Sequence, residues 1–173
     1  MPHSVDAAPI IVSALFGDAD LAWLDALRRA HFPPARNQLP AHLTLFHHLP
    51  PSIEGELGAR LGTETRHVAA PAATVAGIVN LGGGTALRIE SAGLAAIRAR
   101  LAEAFGGLLI PQDRAGWRPH VTIQNKVAPE AARALQDTLK ADFRARPLVL
   151  KGLVAWRYRG GPWEPVSRHR FDG

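Results

Sequence analysis

One short pattern occurs twice in this chain and constrains its fold more than any other feature. His42-Leu43-Thr44-Leu45 and His120-Val121-Thr122-Ile123 both read His-x-Thr with apolar residues in alternate positions, 78 residues apart in a chain of 173. On a β-strand, side chains two apart share a face, so each His and Thr project together while their apolar neighbours enter a core. With eight His and seven Thr in the chain, a single His-x-Thr is unremarkable. Two copies with apolar flanks arise in roughly one random chain in a few hundred.

The surrounding sequence repeats an order of elements around those copies. Ile10 to Phe16 reads as a buried strand and is followed by a helix through Leu21, Leu24, Leu27 and Phe32, capped by Asp18 or Asp20 and stopped by Pro33-Pro34. Leu43 to Phe46 is the next strand, and a short helix opens at Ser52-Ile53-Glu54 and runs to about Arg66. Val75 to Leu81 and Thr85 to Glu90 flank Gly82-Gly83-Gly84 as a hairpin. Ser91 caps a helix carrying Leu94, Ile97, Leu101 and Phe105, which Gly106-Gly107 ends.

His120 to Asn125 is then a strand, and Pro129 stands in the first turn of a helix with Leu135, Leu139 and Phe143. Two strands, Leu148 to Tyr158 and Glu164 to Phe171, close the chain through Gly160-Gly161-Pro162. This order predicts an α+β fold of two similar lobes, not a doubly wound sheet. No polar low-complexity linker divides the chain, so residues 1–173 are expected to form a single domain of two pseudo-symmetric lobes.

Composition narrows the chemistry. The chain has no cysteine, which excludes a disulfide scaffold, a thiol nucleophile and iron–sulfur or zinc-knuckle sites. No apolar run approaches the roughly 18 residues of a membrane span, and the N-terminal MPHSVDAAPIIVSALF has no basic segment before its apolar run. A cytoplasmic protein is expected, monomeric and with no obligate protein partner. The net charge of +5 falls wholly at the C-terminal end, where seven Arg and Lys from Arg144 onward face only Glu164 and Asp172. That asymmetry suits an anionic partner, with nucleotide or RNA first.

Two imidazoles on one cleft suit acid–base chemistry at a phosphodiester, because one can accept a proton while the other donates one. Two threonine hydroxyls between them can donate to the non-bridging oxygens and stabilise charge growing on phosphorus. No metal site is expected: there is no HExxH or carboxylate cluster, and His42, His47 and His48 have no carboxylate nearby in sequence. Gly82-Gly83-Gly84 lacks the Lys-Ser/Thr of a phosphate loop, and no Gly-x-Ser-x-Gly elbow is present.

The segments LPAHLTLFHHLP and WRPHVTIQNK, with Pro119 before the second histidine, resemble the paired HxTx motifs of the two-histidine (2H) phosphoesterase superfamily, especially its bacterial 2′-5′ RNA ligase-like branch. The resemblance implies a bilobal duplicated β/α fold with two antiparallel-type sheets facing a central cleft. It also implies chemistry on 2′,3′-cyclic phosphates or 2′-5′ linkages with no cofactor and no metal, on a partner that is RNA or a nucleotide with a 2′,3′-cyclic phosphate. His42 and His120 would be the catalytic pair, and Thr44 and Thr122 would bind the phosphate. Base is assigned to His120 and acid to His42, although nothing in the sequence distinguishes these roles.

Further substrate contacts are drawn from strand phase and charge. Continuing the phase of His120 puts Gln124 and Lys126 on the cleft side, and His48 shares the phase of His42 if its strand persists to Leu49, although Pro50 favours fraying and a surface position. Arg114 and Arg118 precede the second motif and can fork a phosphate. Tyr158 and Trp163 stand beside Arg157 and Arg159 as base-stacking candidates, whereas Trp156 reads as core. Two other functions stay open: hydrolysis of a small cyclic nucleotide or ADP-ribose-type cyclic phosphate, and RNA binding without catalysis.

Overall fold

A computed structural model describes residues 7–173; residues 1–6, and with them the start of the segment read as leader-free, lie outside the described residues. The elements run β1 (Ile10–Phe16), α1 (Asp18–His31), β2 (Thr44–Leu49), α2 (Glu54–Thr65), β3 (Ala73–Asn80), β4 (Thr85–Glu90) and α3 (Ala92–Phe105). They continue with a single-turn α4 (Pro111–Arg114), then β5 (His120–Gln124), α5 (Pro129–Ala141), β6 (Arg146–Leu148), β7 (Leu150–Arg157) and β8 (Glu164–Arg170).

The strands form two four-stranded antiparallel sheets, ordered β2-β1-β7-β8 and β5-β4-β3-β6. The expected α+β fold with two sheets is what the chain adopts. Each sheet repeats one plan: a motif strand at the edge, paired with the strand that precedes it through a helix. β1-α1-β2 supplies this unit in one sheet and β4-α3-β5 in the other. Alternate residues of the central strands, including Ile10, Val12, Val75, Leu87 and Ile89, are buried in a core that runs between both sheets.

Two local readings are corrected. The expected strand from Leu148 to Tyr158 is two strands, because β6 belongs to one sheet and β7 to the other. Asp20 marks the crossing: its buried carboxylate accepts from the Val149 backbone N–H at 2.7 Å and from Arg146 at 3.2 Å. Neither Asp18 nor Asp20 caps α1, whose N-cap is Gly17 with no side-chain bond. Ser91 does cap α3, accepting from Leu94 N–H at 3.1 Å. In the glycine hairpin, Gly82 has φ +85°, and a Cβ on Gly84 would lie 2.2 Å from the Gln124 carbonyl, so β5 approaches the turn as only glycine permits.

Candidate active site

Leu43 and Leu45 are completely buried, as are Val121 and Ile123, so the alternation read from the sequence turns His42, Thr44, His120 and Thr122 to the opposite side. There the edges of β2 and β5 border a cleft of about 320 Å³ lined by all four residues together with Arg118 and Trp163.

The two histidines are held in the same way. His42 Nδ1 is 2.9 Å from the Pro40 carbonyl, and His120 Nδ1 is 2.8 Å from the Arg118 carbonyl. A carbonyl only accepts, so Nδ1 carries the proton and each neutral ring keeps an unprotonated Nε2 for a substrate. Burial holds His42 below the ordinary imidazole value of 6.5; the positive charges of Arg28, His120 and His47 act in the same direction, against the bond to Pro40. The Trp163 ring stands 4.7 Å from the His42 ring, centroid to centroid.

An edge strand exposes unpaired backbone groups, and here side chains from the other half of the fold take them. Arg28 of α1 is buried and donates to the Thr122 carbonyl of β5 at 2.8 Å, with its guanidinium 4.3 Å from the Phe32 ring centre. Arg98 of α3 is buried and donates to the Leu45 carbonyl of β2 at 3.2 Å and to the Asp113 carbonyl at 2.6 Å, over the Phe46 ring at 4.6 Å. Each motif strand is thus fixed by an arginine from the helix that connects the strands of the opposite sheet. The sequence reading missed both arginines, since nothing local separates them from solvated helix residues.

Strand phase fails beyond the motifs for a stated reason. β2 is bulged against β1: Ser13 pairs with Thr44, Val12 with Phe46 and Ile10 with Leu49, so β2 carries an extra residue in each interval. Leu45 and Phe46 both enter the core, and His47 lines the cleft in place of His48, which is exposed. Asp113, buried to 1% exposure, accepts from the His47 ring at 2.9 Å and from the backbone N–H of His47 and His48. Burial pushes the Asp113 carboxyl up, yet these bonds outweigh it and hold the group below 3.8. His47 has no carboxylate nearby in sequence, and its partner comes from 66 residues away.

β5 also departs from simple phase. A register shift between Thr85 and Ala86 turns Gln124 inward, where it is buried and accepts from the Thr85 hydroxyl at 2.9 Å. Lys126 is exposed, has φ +60° and lies outside the cleft lining; Asn125 instead lines an adjoining recess of about 260 Å³ with Arg36 and Tyr158. Arg114 also points away, donating to the Leu109 carbonyl at 2.7 Å. Of the further contacts expected, the structure brings Arg118 and Trp163 to the cleft and Tyr158 to its neighbour. Trp156 is partly buried and donates to the Ser13 hydroxyl at 2.8 Å, so it is packed as expected. Among the described residues no group of three or more His, Cys, Asp or Glu is arranged to hold a metal ion, and no helix is long and apolar enough to cross a membrane.

The sequence model of the 2′-5′ RNA ligase superfamily matches residues 16–162, which include both motifs, and the chain belongs to that family. Phosphoesterase-type chemistry is accordingly the coarse description of its activity. Among solved structures, TT0787 of Thermus thermophilus aligns with a TM-score of 0.66 at 15% identity, covering 95% of this chain and 98% of that one. E. coli LigT complexed with 3′-AMP aligns with a TM-score of 0.58 at 16% identity, covering 97% of this chain and all of that one. At these identities the likeness is one of fold. No curated protein sequence matches the chain.

Proposed function

We propose that this chain hydrolyses RNA-type 2′,3′-cyclic phosphates to 2′-phosphates without a metal ion, and that 2′-5′ ligation is the same displacement with a 5′-hydroxyl in place of water. The observation that carries the reading is the matched tethering of His42 and His120, each by Nδ1 to the carbonyl two residues before it. A water oxygen bonds to phosphorus as the bond from phosphorus to the 3′-oxygen breaks. One neutral ring takes the water proton at Nε2, and the other, entering the reaction as an imidazolium, gives its Nε2 proton to the 3′-oxygen. The Thr44 and Thr122 hydroxyls donate to the non-bridging oxygens, where negative charge grows.

The burial of His42 supports the opposite assignment of roles to the one expected from the sequence. Burial favours the unprotonated ring that a base requires, so in this reading His42 takes the base role, which leaves the acid role to His120. In ligation a 5′-hydroxyl takes the place of water and each histidine keeps its role; the roles exchange when a 2′-5′ linkage is cleaved back to the cyclic phosphate. The recess beside Tyr158 and Arg36 and another lined by Lys151, Arg168 and Arg170 flank the cleft and support a strand-like substrate over a small cyclic nucleotide. Residues 1–173 act in this reading as one functional unit, a cytoplasmic monomer.

The pH profile of kcat/KM tests the assignment. A bell is expected, with an acidic limb below pH 6.5 that belongs to His42. A flat profile between about pH 5 and 9 contradicts the two-histidine mechanism.

A further inference from the structure

The paired motifs already provide a base, an acid and two hydroxyl donors for one phosphodiester, yet one wall of the cleft carries more. His47 lines it with Gln112, Trp117 and Arg118. Asp113 fixes the His47 ring through Nδ1 and is itself fixed by two backbone N–H groups, so the ring is oriented by a buried carboxylate while its side chain stays 40% exposed. An imidazole with its Nδ1–H given to a carboxylate offers Nε2 to whatever approaches. Among the described residues, neither His47 Nε2 nor the Arg118 guanidinium has a hydrogen-bond or ion-pair partner. Trp117 does not compete for this space, because its indole N–H is given to the Thr44 carbonyl at 3.1 Å. The other motif strand has no equivalent, since Asn125 stands where its chain leaves β5.

We propose that His47 and Arg118 form a second anion subsite, which takes a further phosphate of the substrate beside the one undergoing reaction. This rests on the phosphodiesterase reading for the identity of the reacting group, but not for the binding of the second phosphate. That phosphate has two sources: a 5′-monoester on the same nucleotide, or the phosphodiester linking the preceding nucleotide in an oligonucleotide. Charge-assisted bonds from the forked Arg118 guanidinium suit either, and the His47 ring adds one when its Nε2 carries a proton.

Calorimetric titration of the His120→Ala variant, which binds without turning over, tests the subsite with three ligands: adenosine 2′,3′-cyclic phosphate, the same carrying a 5′-phosphate, and the dinucleotide ApA ending in a 2′,3′-cyclic phosphate. The second phosphate is expected to tighten binding tenfold or more, and adding His47→Gln or Arg118→Gln is expected to reduce that gain to under threefold. Whichever of the last two ligands shows the gain identifies the source. A gain that is the same with and without His47 and Arg118, or no gain for either ligand, overturns the proposal. Thermal unfolding of the His47→Gln protein within about 2 °C of its parent shows that the ratio reads binding and not folding. Turnover by the native enzyme is scored separately: a gain in binding without turnover sinks the phosphodiesterase reading and leaves the subsite standing.

Discussion

The two motif strands solve the same problem and then diverge. Both are sheet edges, both tie a histidine to the carbonyl two residues before it, and both are fixed by a buried arginine from the opposite half. Past the threonine, β2 bulges outward and is clamped by Asp113, whereas β5 turns its next polar residue, Gln124, inward. On the proposed reading the shared geometry serves the reaction, and the divergence serves recognition of a particular substrate. Of the two motif segments, the first therefore presents three polar side chains to the cleft, His42, Thr44 and His47, against His120 and Thr122 from the second.

The largest test of this comparison is to remove the shared part. His42→Ala and His120→Ala are each expected to lower kcat/KM by about 10²–10⁴. The double variant should be little worse than the poorer single one, because the two act as a unit. Fully additive losses would mean that the halves work independently.

Next come the arginine braces. Arg98→Met orphans two buried carbonyls, of Leu45 and Asp113, and is expected to cost about 2–4 kcal/mol in urea unfolding; Arg28→Met orphans one and should cost about 1–2 kcal/mol. Arg28 also donates to the Asn37 side chain at 3.1 Å, so equal costs would show that the second carbonyl held by Arg98 contributes no more than that bond.

Asp113→Asn probes the part that is not shared. Asp113 lies below its ordinary value in the folded chain, so it contributes stability above about pH 4 that disappears as pH falls through the folded value. The variant should be less stable than the parent near pH 7, by about 1–3 kcal/mol, and the gap should narrow under acid. An unchanged gap down to about pH 2 would remove Asp113 as the clamp of the bulge.

How much of this was legible in the sequence follows from how local each feature is. The motif residues, the hairpin at Gly82, the Ser91 cap and the two-sheet α+β class all rest on spacing within a few residues, and they were readable. His47 with Asp113, Arg28 with the Thr122 carbonyl and Arg98 with the Leu45 carbonyl join residues 53 to 94 positions apart, so no local pattern announces them. The bulges in β2 were equally hidden, because Leu45-Phe46 followed by His47-His48 reads equally well in two phases until the register against β1 is known. The division of Leu148 to Tyr158 between two sheets depends on Asp20, 129 residues from Val149.

The smallest expected effect concerns Trp163, which covers His42 from one side. Trp163→Ala relieves part of the burial that lowers His42, so the acidic limb of the pH profile should move up toward 6.5 by a fraction of a unit. No shift would mean that other neighbours set the burial of His42.

The central claim is that two equivalently tethered histidines hydrolyse a cyclic phosphate. It is met most directly by ³¹P NMR of the protein with a nucleoside 2′,3′-cyclic phosphate in EDTA, beside His42→Ala and His120→Ala. The account predicts conversion to the 2′-phosphate by the native chain and none on the same timescale by either variant. No conversion, a 3′-phosphate product, or conversion that survives loss of either histidine would contradict it.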